Sequence, residues 1–72
     1  MRQETFDMLC ELIHMRNSAS REAARLNLVE GVPVPEAAQR AGIGKIGGYK
    51  AVQRVREGLE LAQQVVASAL LG

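Results

Sequence analysis

The sequence predicts an all-α fold, a small bundle of four or five helices that contains a helix-turn-helix. Three observations carry this. Apolar residues recur at spacings of three and four along most of the chain, and no strand-like alternation of any length is present. Breakers at Asn17-Ser18, at Gly31 to Pro35 and at Gly42 to Gly44 cut the chain into helix-length pieces. Hydrophobic residues make up 47%, yet the only aromatics are Phe6 and Tyr49, so the core must be Ala, Val, Leu, Ile and Met, as suits short helices packed closely. The 72 residues read as one domain, 1-72. A chain this small buries only about 60% of its unfolded surface, and oligomerisation is a common source of added stability.

A first helix is expected from about Gln3 to Arg16. Phe6, Leu9, Ile13 and Arg16 form its stripe, Cys10 and Leu12 flank it, and Glu4, Asp7 and Glu11 take the other face. Asn17, Ser18 and Ser20 supply turn and cap chemistry for a second, Ala-rich helix that stops at Gly31. Pro33 forbids continuing it, and Pro35 suits the first turn of a third helix, about Pro35 to Ala41, which Gly42 ends.

The last periodic segment begins near Lys45. A continuous helix to Leu71 would be about 40 Å long at 1.5 Å per residue, against a radius of gyration near 11 Å for a compact domain of this size. Either the helix breaks near Gly58 or its end projects. Val52, Val55, Leu59, Ala62, Val66 and Ala69 step as a heptad seam just under three repeats long. Two readings stay open: the seam packs on the first helix of the same chain, or Leu59, Ala62, Val66 and Ala69, within a helix at 59-71, join two chains in a homodimer.

Several function classes are excluded. No apolar run approaches the roughly 20 residues that span a bilayer, and the charged MRQETFDMLCEL start has no signal-peptide core, so a cytoplasmic protein without membrane contact is expected. Cys10 and His14 fall short of a metal site, and no nucleophile–base set is present. No cofactor, metal, small-molecule substrate or enzymatic activity is expected. Cys10 reads as a small buried hydrophobe, and His14 as a neighbour of the first helix's C-terminal dipole.

Charge distribution is more informative than the net charge of +1. Arg40, Lys45, Lys50, Arg54 and Arg56 fall within seventeen residues that hold no acid, while the segments on either side are net acidic. The same window spans the expected helix-turn-helix, about 35-57. Ala37, Ala38 and Ala41 are small enough for close approach of its two helices. Gly42 supplies the left-handed turn, Ile43 anchors it, and Ala51, Val52 and Val55 form the buried face of the second helix. That arrangement leaves Ile46, Tyr49, Lys50 and Gln53 on one outward face with Lys45 at its start. Gln53 suits adenine, Lys50 guanine, and Ile46 or Tyr49 a thymine methyl, while Arg40, Arg54 and Arg56 suit phosphates. A plainer reading is a solvated basic face, with Ile46 and Tyr49 filling a core short of bulky side chains.

The run RLNLVEGVPVPEAAQRAGIGKIGGYKAVQRV resembles the helix-turn-helix segment of the KorA/TrfB-type plasmid repressors, a pattern shared with PapB-type fimbrial regulators. The matching pieces are Leu28-Val29-Glu30-Gly31, Ala38, Gly42-Ile43 and Ala51-Val52-Gln53-Arg54-Val55. The resemblance implies a homodimer that binds operator DNA and represses transcription. It covers less than half of the chain and departs at Gly47 and Gly48, which fall inside the recognition helix with Gly48 where the family has a buried aliphatic, and after about Leu59, where no match to the family's dimerisation region follows. The expected partner is double-stranded DNA with a palindromic site, recognition helices standing about 34 Å apart. The competing class is a helical protein-interaction module, adaptor-like or antitoxin-like, that binds no nucleic acid.

Overall fold

The computed structural model describes all 72 residues as four helices without a strand: α1 (Gln3–Leu12), α2 (Ala19–Leu28), α3 (Val34–Ala41) and α4 (Lys45–Leu71). The fold is an all-α helical bundle, as the sequence predicts. No helix is long and apolar enough to cross a membrane.

The first helix is shorter than its periodicity suggests. His14 adopts a left-handed conformation, φ 57°, and two backbone bonds close the end: the His14 amide donates to the Glu11 carbonyl and the Met15 amide to the Cys10 carbonyl. This is a Schellman stop, with histidine where glycine is usual. It turns the chain before Arg16, which lies exposed beyond the helix. Met15 returns to the core instead. Ser18 caps α2, its Oγ accepting from the Arg21 amide at 3.3 Å.

Two further turns follow the sequence closely. Gly31 has φ 77° at the turn after α2, where Asn27 Nδ2 donates to the Val32 carbonyl at 2.8 Å. Gly42 has φ 79° and ends α3, its amide donating to Gln39 and the Ile43 amide to Ala38.

The core gathers Phe6, Leu9, Cys10, Met15, Ala24, Ala51, Val52 and Val55, with Ile13, Leu28, Val29, Val34 and Leu59 packed at its edge. Two glycines set how closely helices approach α4. A β-carbon at Gly48 would lie 2.9 Å from Ala38 Cβ and 3.3 Å from Val34 Cγ1, so α3 crosses α4 there. One at Gly58 would lie 2.6 Å from Ile13 Cγ2, where the end of α1 meets α4. Gly48 leaves no room for a side chain because α3 occupies that space.

Gly58 does not break α4, which runs through 27 residues. Its end projects, and the molecule measures 44 × 18 × 17 Å. The seam therefore divides. Val52 and Val55 are buried and Leu59 packs at the core's edge, so Leu59 belongs to the chain's own packing rather than to a free dimer surface. Beyond it Ala62 is half-buried, while Val66 and Ala69 are exposed.

Candidate nucleic-acid interface

The α3–turn–α4 unit is built from small residues. Ala37 and Ala38 are buried, and Gly48 lets α4 sit against Ala38 with no side chain between them. Gly42, Ile43 and Gly44 make the three-residue connection, and Ile43 is half-buried. Ala51, Val52 and Val55 then fill the inner face of α4. With that face committed, Lys45, Ile46, Tyr49, Lys50 and Gln53 are all exposed on the other side. Ile46 is 70% and Tyr49 51% exposed, so neither fills the core.

Electrostatics separates this face from α2 and α3. The ion pairs use Arg21 with Asp7, Arg25 with Glu22 and Glu30, and Arg40 with Glu36. Lys45, Lys50, Arg54 and Arg56 take part in none. The cations of α2 are thus neutralised within the bundle, while α4 keeps four uncompensated ones around its exposed face. Gln53 Nε2 donates to Glu57 Oε1 at 3.0 Å, an exposed bond that rotation about the side chain releases.

Arg54 and Arg40 differ from the sequence expectation of free phosphate ligands. Arg54 Nη2 donates to the Ile13 carbonyl at 2.9 Å and so caps the C-terminal end of α1. Arg40 is held by Glu36 at 2.9 Å. Both remain exposed with further N–H groups available.

The sequence gives no sign of one neighbour of this face, the start of α2. Met15, Ser20, Gly47, Lys50, Ala51 and Arg54 line a common shallow depression. The N-terminus of α2, with its positive dipole end and the first-turn amides that the Ser18 cap leaves free, thus lies beside two cations of α4. Glu22 in the first turn is engaged by Arg25, whose guanidinium holds its carboxyl below the usual carboxylate range. The Asn17-Ser18 cap signal foretells where α2 begins, but only the packing decides what that end faces.

Comparison of the chain with protein-family models, with curated proteins and with solved structures found no match. The chemistry of this face is therefore that of its own residues.

Cys10 and His14 lie away from it. Cys10 is fully buried, and burial pushes its thiol up from the ordinary value, outweighing the nearby Arg21. His14 is exposed and serves the backbone turn that ends α1.

Proposed function

We propose that the chain is a sequence-specific DNA-binding transcriptional regulator, a repressor of the kind its helix-turn-helix resembles. The start of α4 enters the major groove. Lys45, Ile46, Tyr49, Lys50 and Gln53 meet base edges, and Arg54, Arg56, Arg40 and the N-terminus of α2 meet phosphates. One observation carries the reading: Lys45, Lys50, Arg54 and Arg56 have no acidic partner and fall together on α4, whereas the arginines of α2 and α3 are each held by a carboxylate. Unpaired cations on one face, beside a helix N-terminus, favour a polyanion. Exposed Ile46 and Tyr49 suit the apolar contacts that read thymine.

A salt series of binding to random-sequence duplex DNA tests this. Wild type is expected to bind at low salt with a steep fall in affinity, and Lys50→Ala to show a slope shallower by about one. Absence of binding at low salt would remove the reading. A protein-interaction module, favoured by the uncovered apolar end of α4, would then take its place.

A further inference from the structure

We infer that the projecting end of α4 pairs with the same segment of a second copy, and that the resulting dimer holds two separate DNA segments on opposite sides. The second half of this inference rests on the DNA-binding reading above; the first half does not.

The occupant of the projecting end follows from chemistry and register. No charged residue occurs after Glu60, so a second copy meets no like charge, and a charged partner finds nothing to pair with. At about 100° per residue, Leu61, Val65, Ala69, Ala62, Val66 and Leu70 fill one half of the helix circumference in that order. Gln63, Gln64, Ala67, Ser68 and Leu71 take the other half. Ala62 and Ala69 form a small-residue spine with larger side chains on both sides, a shape that admits a second helix at short interaxial distance.

This face continues the one that α4 already buries. The mean direction of Gly48, Ala51, Val52, Val55 and Gly58 lies within about 30° of it around the helix. The packing surface simply outruns the bundle, leaving Leu61, Val65, Val66 and Leu70 between 59% and 82% exposed. An isolated helix end of three turns is marginal in water without packing. Three turns also give an interface at the low end of specific ones, below about 1,200 Å² in total, so the dimer is reversible and concentration-dependent.

The orientation of the dimer follows from the same register. Lys45, Ile46, Tyr49, Lys50 and Gln53 point, on average, about 180° around the helix from the tail's apolar face. α4 contains no proline to bend it, and its 27 residues account for most of the 44 Å length of the molecule. In a two-fold pair the line joining the two helices is perpendicular to the axis. Each basic face then points outward along that line, away from its partner. Recognition helices that straddle one turn of a single duplex would have to face the same way. The palindromic arrangement expected from the sequence is therefore replaced by one in which the dimer bridges two duplex segments.

The test begins with sedimentation equilibrium of the full chain without DNA, up to the millimolar range. Val66→Glu places a charge on the apolar face, and Leu71→Glu places the same charge on the opposite half as a control. Helicity by circular dichroism checks that both fold; both positions are exposed. Wild type and Leu71→Glu are expected to dimerise alike, and Val66→Glu to need at least about tenfold higher concentration. A second assay immobilises one random-sequence duplex on beads and supplies another in solution with a fluorescent label. Wild type above its dimerisation midpoint is expected to capture the labelled duplex, and Val66→Glu to bind either duplex singly without capture.

A wild type that stays monomeric, or equal weakening by both glutamates, overturns the interface. A dimer that binds single duplexes but captures no second one overturns the outward orientation. A dimer that binds no DNA at all overturns the DNA reading and the bridging together, while the interface stands on the sedimentation result.

Discussion

The two halves of α4 share one helix and one apolar face but live in different surroundings. From Lys45 to about Glu60 that face is buried on α1, α2 and α3, and the other face carries unpaired cations. From Leu61 to Leu71 the same face continues with nothing against it and no charge anywhere around the helix. An identical heptad signal therefore has two physical meanings, set by where the partner helices end. α1 stops at Leu12, its turn residue Ile13 reaching only as far as Gly58.

The sharpest way to break this comparison is to make one substitution in each half. Val55→Ala removes a fully buried side chain and is expected to cost about 2–3 kcal/mol. That is a large share of a total stability of about 4–10 kcal/mol for a domain this size. Val65→Ala, on the exposed end, is expected to stay within about 0.5 kcal/mol at concentrations where the chain is monomeric. Urea midpoints compare the two; equal losses would mean that the tail is covered within the chain.

A smaller effect of opposite sign is expected at two adjacent glycines. Gly48→Ala forces a methyl against Ala38 Cβ, which has no rotamer to escape into, and is expected to destabilise by about 1–2 kcal/mol net. Gly47→Ala meets only Ile43 Cδ1 at 3.8 Å and is expected to stabilise by up to about 1 kcal/mol. Thermal unfolding of the pair reads whether α3 truly crosses at Gly48.

The basic face gives a subtler contrast. Arg54→Ala loses the bond to the Ile13 carbonyl and is expected to cost about 0.5–1.5 kcal/mol, as well as one phosphate contact. Lys50→Ala is expected to leave stability within about 0.5 kcal/mol and to change only the salt slope of DNA binding. Denaturation and binding measured on both variants separate the structural role from the electrostatic one.

The smallest effect expected is a pH dependence at Cys10. Burial raises its thiol above the ordinary 9.0 in the folded state, so unfolding favours the thiolate. The contribution is fully present below pH 9.0 and is lost as pH rises toward the raised folded value. Stability is therefore expected to decline above pH 9.0 by an amount that Cys10→Ala removes, and native-state thiol labelling to be slow below that pH.

Much of the fold could be read from local chemistry. Gly42 and Gly31 have the positive φ values their positions suggested, and Ser18 caps α2. Ala37, Ala38, Ala51, Val52 and Val55 are buried as their spacing required, with Lys45, Ile46, Tyr49, Lys50 and Gln53 outside. The end of α1 is not legible in the periodicity, because Ile13 and Arg16 keep a helical period while His14 takes a left-handed conformation, which histidine rarely signals. The reason for Gly48 was invisible because it lies in another helix.

The sequence by itself determined an all-α fold, the turns at Gly31 and Gly42, the Ser18 cap and the buried face of the first half of α4, since these follow from spacing, turn residues and the aversion of apolar side chains for water. Only the tertiary structure decided where α3 crosses α4, which arginines are already paired, that α2 begins beside Lys50 and Arg54, and that the seam outruns its cover after Leu59. Those are relations between segments distant in sequence. Periodicity fixes a residue's direction around its own helix, and no local rule says what stands opposite.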